Sequence, residues 1–116
     1  MKSTKATRLL ARQVLEFIKQ NPDIHEQDDY IVESEGQGFC GTKMCIAGTA
    51  AFLVNGCNPR AALQAKRKSG TSWDEYVGPM LGLDLYEASY LFDELDEKTA
   101  IKRLKRVAKG KPVYKT

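Results

Sequence analysis

The stretch "FCGTKMCIAGTAAFLVNG", residues 39–56, decides how this chain folds. Thr42 is a side chain suited to a helix N-cap. From there Met44, Cys45, Ile46, Ala47, Gly48, Ala50, Ala51, Phe52, Leu53 and Val54 are apolar nearly all the way round. A helix apolar on every side is buried on most sides. Gly48 costs about 1 kcal/mol of helix propensity, and together with the alanines it lets neighbouring helices approach closely. Gly56 supplies the C-terminal stop. The spacing predicts a central core helix over about 43–55, beginning at Lys43, with the rest of the chain wrapped around it.

The flanking sequence supplies the wrapping. Thr4 is the expected cap of a first helix in which Leu10, Val14, Phe17 and Ile18 recur at helical spacing. Leu9 and Leu15 widen that stripe, and Lys5, Arg8, Arg12 and Lys19 fall on the wet side. Pro22 ends the helix, since the residue before proline avoids the helical region. Residues 23–41 show no helical period, so they form one long irregular segment, a kind that is often functional in a small domain. "NPRAALQAKRKSG" then predicts a helix from the Asn58 cap to the Gly70 stop, with Ala62, Leu63 and Ala65 inside. Ser72 with Glu75, and Asp84 with Glu87, have capping-box spacing. The first of these helices breaks at Gly78-Pro79, and the second buries Leu85, Ala88, Leu91, Phe92 and Leu95. A last helix over 97–109 buries Ala100, Ile101, Leu104, Val107 and Ala108 and ends at Gly110. The expectation is a mostly α, compact single domain of five or six helices over residues 1–110, followed by a tail from 111 to 116.

At 116 residues a single core can bury about two-thirds of the unfolded surface. No apolar run reaches the ~20 residues of a membrane helix, and the cationic N-terminus lacks a signal-peptide core. The expected location is the cytoplasm. The net charge of +3 is unevenly spread. Residues 23–35 are acidic without a lysine or arginine, whereas residues 98–115 hold only basic charges. Such asymmetry fits an anionic partner for the basic end, or attraction between the two ends.

Three cysteines are too few for a disulfide scaffold. Zinc would need Cys40, Cys45, Cys57 and His25 to converge, yet Cys45 and Cys57 lie near opposite ends of a helix about 18 Å long. A Cys40–Cys45 disulfide and a nucleophilic Cys45 with His25 as base are further alternatives. Free thiols packed as small hydrophobes at the start of the central helix are the simplest account. No paired carboxylates, serine triad or nucleotide fingerprint emerges, so neither an enzyme nor a metal or cofactor site is expected.

Two binding surfaces remain. "GFCGT" opens a helix N-terminus, where unpaired N–H groups and Lys43 suit phosphate. In that reading His25, Gln27, Tyr30, Phe39, Gly41, Thr42 and Lys43 line the site, with Tyr30 or Phe39 over a base. The alternative is a nucleic-acid interface on helices 59–69 and 97–109, using Arg60, Gln64, Lys66, Arg67, Lys68, Arg103 and Arg106. Basic residues near helix C-termini also complement the macrodipole, so a solvated face competes with it.

Across most of its length the chain resembles a group of small bacteriophage and bacterial proteins. The resemblance rests on Cys40-Gly41-Thr42-x-x-Cys45-Ile46-Ala47-Gly48, on "MLGLDLYEASYLFDE" and on "AIKRLKRVAKG", with "HEQDDY" as a looser counterpart. Thr49 departs from the pattern, where relatives commonly carry an aromatic. The resemblance implies a non-enzymatic phage accessory protein in the host cytoplasm, binding a host protein or sequestering a small anionic ligand such as a nucleotide defence signal.

Overall fold

Why does the first helix start where it does? In a computed structural model, which describes residues 2–20, 43–95 and 97–114, Thr4 and Thr7 cap one another. The Thr7 N–H donates to Thr4 Oγ1 at 3.2 Å and the Thr4 N–H to Thr7 Oγ1 at 2.8 Å. Helix α1 then runs Lys5–Gln20 with Leu10, Ala11, Val14 and Ile18 buried. Leu9 does not widen the stripe: it is 48% exposed. Arg8 is not on the wet side but half-buried, donating to Ser3 Oγ at 3.1 Å.

Helix α2 is the central helix the sequence calls for. It begins as a π-helical stretch, Lys43–Gly48, and passes directly into the α-helix Thr49–Val54. Every residue from Ile46 to Phe52 is buried, and only toward its end, at Val54, does the helix reach the surface. It packs against α1 and against the three helices that follow it. The π geometry is a departure from the regular helix the spacing predicts. Such wide turns are rare and occur mostly as short stretches within α-helices. Phe17 and Phe52 meet at 5.3 Å between ring centroids and pin α1 to α2.

Helix α3, Pro59–Ser69, has Asn58 Oδ1 accepting from the Ala61 N–H, proline in its first turn and Gly70 closing it at φ 68°. Helix α4, Trp73–Val77, starts on the Ser72–Glu75 capping box. The α-helix ends at Gly78-Pro79 as the sequence predicts, and the chain tightens there into the 3-10 turn Gly78–Leu81. Proline is tolerated at the start of that turn because its missing N–H would have had no partner there. Asn55 Nδ2 donates to the Tyr76 hydroxyl at 3.2 Å, joining the end of α2 to α4.

Helix α5 starts on the Asp84–Glu87 box as Leu85–Ser89 and continues as a second π-helical stretch, Tyr90–Glu94. The two π stretches pack on each other. Ala88, Leu91 and Phe92 face the core, but Leu85 does not. It sits in the first turn, one position after the cap, and is 51% exposed. Gly78 lets α4 and α5 touch, since a Cβ there would lie 2.9 Å from that of Ala88.

Helix α6, Glu97–Ala108, packs along α1 and buries Ala100, Leu104, Val107 and Ala108. The Lys111 N–H reaches the Arg106 carbonyl and the Gly110 N–H that of Val107, which is a Schellman close. Of the segment expected to be a tail, the described residues 111–114 are held to the domain. Val113 is 0% exposed within the core, and Arg106 Nε donates to the Pro112 carbonyl at 2.9 Å. Among the described residues all regular structure is helical, and no helix is long and apolar enough to cross a membrane.

Candidate functional site

Helix α6 has a core stripe at Ala100, Leu104, Val107 and Ala108. Positions three and four apart on the adjoining face are neighbours, and these are Thr99, Lys102, Arg103 and Arg106. Together they line a groove of about 380 Å³. No acidic residue follows Glu97 in the helix to offset the three cations. Like charges at this spacing cost an isolated helix about 0.2–0.5 kcal/mol per pair.

The donors of the groove are unequally engaged. Arg106 spends its Nε on the Pro112 carbonyl. Lys102 is exposed, with its ammonium in water. Arg103 Nε is buried and has no hydrogen-bond partner among the described residues. A buried donor without an acceptor costs about 1–3 kcal/mol, more when it belongs to a charged group. A carboxylate or phosphate oxygen beside Arg103 would remove that cost, and a guanidinium fork matches either in geometry. The arrangement is one for holding an anion.

A second cavity, of about 470 Å³, lies where the N-terminal segment crosses the α4–α5 connection, between Lys2 and Asp84. Its polar lining is already satisfied. Thr4 and Thr7 bond each other, and Asp84 Oδ1 accepts from the Glu87 N–H at 2.8 Å. Its lining holds one cation, Lys2, and one carboxylate, Asp84, so it lacks the net positive charge of the α6 groove.

The residues expected to bind at the start of the central helix fall mostly beyond view. His25, Gln27, Tyr30, Phe39, Gly41 and Thr42 lie outside the described residues, as does Cys40. Lys43 enters only as the first residue of α2. Of the nucleic-acid set, Arg60, Gln64, Arg67 and Lys68 are exposed on α3. Lys66 is half-buried with its Nζ 5.8 Å from the Trp73 ring centroid, which is a packing role. Helix α3 lies on α2 and α4, while α6 lies on α1 and α5. Only Arg103 and Arg106 of that set share a site. Thr99 and Lys102 complete it; the sequence signal for them is their i, i+3, i+4, i+7 register beside the apolar stripe.

Cys57 lies beyond the far end of α2, as expected, and is a free thiol, but it is exposed rather than packed. No protein-family model, curated protein or solved structure matches this chain.

Proposed function

We propose that this chain is a non-enzymatic helical binding module, of the phage accessory type, whose ligand carries phosphate. The observation that carries the reading is the buried Nε of Arg103, without a hydrogen-bond partner among the described residues, in a groove it shares with Lys102 and Arg106. Three cations with one donor unspent favour a small, highly charged anion over a neutral one.

Phosphate reaches such a groove as a free nucleotide or as a nucleic-acid backbone, and the two are separable. The full chain is titrated calorimetrically with mononucleotides and cyclic dinucleotides, and in parallel with single-stranded and duplex oligonucleotides. A nucleotide ligand is expected to give heat that Lys102→Glu and Arg103→Gln abolish without lowering the melting temperature. A nucleic-acid ligand also loses affinity with salt, by roughly 0.7–0.9 log units per log unit of salt for each phosphate neutralised. If that slope exceeds what three cations supply and Lys66→Glu or Arg67→Glu reduces it, α3 belongs to the interface. Absence of heat with every nucleotide and oligonucleotide would end the phosphate reading.

A further inference from the structure

Helix α5 carries a surface outside the α6 groove, of which only Tyr90 also packs against the core. Tyr86 is 80% exposed, Leu85 beside it is exposed, and Tyr90 follows four positions on in the same helical run. Tyr114 lies against Tyr90 with ring centroids 4.8 Å apart. That second ring is held in place because Val113, its neighbour, is anchored in the core. Single exposed apolar residues are ordinary, but a group of three tyrosines on a fixed frame is not.

The charged side chains that act on the Tyr114 phenol are carboxylates of the α5 segment. Asp84 and Glu94 are exposed at the two ends of α5, and Glu87 lies between them. Partial desolvation, followed by the negative charges of Asp84, Glu87 and Glu94, pushes the Tyr114 phenol up from its ordinary range. The chain as a whole is positive, so the patch runs against the net charge.

We infer that the face formed by Tyr86, Tyr90 and Tyr114, edged by Asp84 and Glu94, is a docking surface for a lysine- or arginine-bearing peptide segment of a partner protein. Tyrosine faces attract cations through the ring quadrupole, and flanking carboxylates add a direct charge partner. The fold already uses this pairing once, with Lys66 over Trp73. Tyrosine also contributes contact area with little rotamer entropy to lose, and it is enriched among the residues that dominate binding. A second copy of the chain is the weaker occupant. The exposed parts of three rings and one leucine amount to a few hundred Å², on the order of half of the ~800 Å² per partner that a stable interface buries.

The surface is independent of the phosphate groove, and its test uses different probes. Fluorescence anisotropy of the full chain is measured with a short labelled peptide alternating arginine and glycine, and with its glutamate counterpart. The arginine peptide is expected to bind and the glutamate peptide not to. Tyr86→Ala should weaken binding roughly tenfold, in the range of a dominant interface residue, while Tyr86→Phe retains it. Glu94→Lys should weaken it as well. Tyr86 is too exposed for its loss to unfold the protein, and unchanged melting of the alanine variant checks this. Absence of arginine-peptide binding, or equal binding by Tyr86→Ala, would overturn the proposal. So would sedimentation showing a dimer that Tyr86→Ala dissolves, which would assign the face to a second copy.

Discussion

The Lys2 N–H donates to the Gly82 carbonyl at 2.7 Å, and Gly82 has no room for a side chain. A Cβ at Gly82 would collide with the carbonyl oxygen of Lys2, and its φ of 78° is one that L side chains rarely adopt. The chain before α1 is thereby laid against the turn between α4 and α5. Gly82→Ala therefore faces two separate costs, the left-handed backbone at about 1–2 kcal/mol and the displaced segment. Destabilisation of about 2–4 kcal/mol is expected in urea melts. Gly56→Ala is the control, since Gly56 has φ 72° but open space where its Cβ would go. It should lose only the backbone part. Equal losses at the two positions would show that the contact with Lys2 is not what makes Gly82 necessary.

Val113 belongs to the core although it lies beyond the last helix. Three features hold its segment: the Schellman close at Gly110, the Arg106–Pro112 hydrogen bond and the Tyr90–Tyr114 contact. Val113→Ala removes two buried methyl groups and leaves a small cavity, at a cost of about 1.5–3 kcal/mol. Ending the chain after Gly110 should cost more than the single substitution. A truncated protein that melts with the full chain would contradict the burial of this segment.

These two contacts mark where the sequence stops being legible. Helix α2 announces itself because ten of the eleven residues from Met44 to Val54 are apolar or glycine, which leaves only one environment that suits them. The caps at Thr4, Asn58, Ser72 and Asp84, and the stops at Gly56, Gly70 and Gly110, are local chemistry and could be read locally. Val113 could not, because a lone valine among Lys111, Pro112 and Tyr114 has no period to reveal a buried face. The Lys2–Gly82 pairing joins residues eighty positions apart, and no local rule reports it. Leu9 and Leu85 fit a helical stripe by spacing but lie at its edge, where neighbouring helices do not reach.

The groove is a similar case. The basic character of residues 98–115 is plain in the sequence, and Arg103 and Arg106 follow from it. The choice of Thr99 and Lys102 as their companions depends on which way α6 faces once Leu104 and Val107 are buried against α1. The cations of α3 look equivalent in composition but lie on a different part of the fold.

Cys57 offers a substitution of opposite sign. It is the one residue other than glycine with positive φ among those described, at 58°. Its N–H closes the end of α2 on the Phe52 carbonyl at 2.9 Å. That hydrogen bond requires only a backbone, and the exposed thiol has no packing to lose. Cys57→Gly relieves the left-handed strain, about 1–2 kcal/mol, and adds chain entropy in the unfolded state, about 0.4–1 kcal/mol. A net gain of a few tenths up to about 1 kcal/mol is expected as a higher denaturation midpoint. A loss of stability would mean that the thiol makes a contact of its own.

Tyr114 makes the stability of the protein depend on pH in the alkaline range. Partial desolvation and the charges of Asp84, Glu87 and Glu94 raise its folded-state pKa above the ordinary value. The unfolded chain then releases the phenolic proton first, near pH 10. Between the unfolded and folded pKa values the folded state binds more protons, so stability falls as pH rises. Below the unfolded value the two states bind the proton equally and no such slope exists. Urea midpoints followed from about pH 9 to about pH 11 should drop more steeply in the wild type than in Tyr114→Phe, which keeps the ring against Tyr90 and lacks the ionisable group. The two proteins differ by this one hydroxyl, so the difference isolates Tyr114. Parallel curves would mean that the carboxylates of α5 do not bear on this ring, and the negative field claimed for the tyrosine face would go with them.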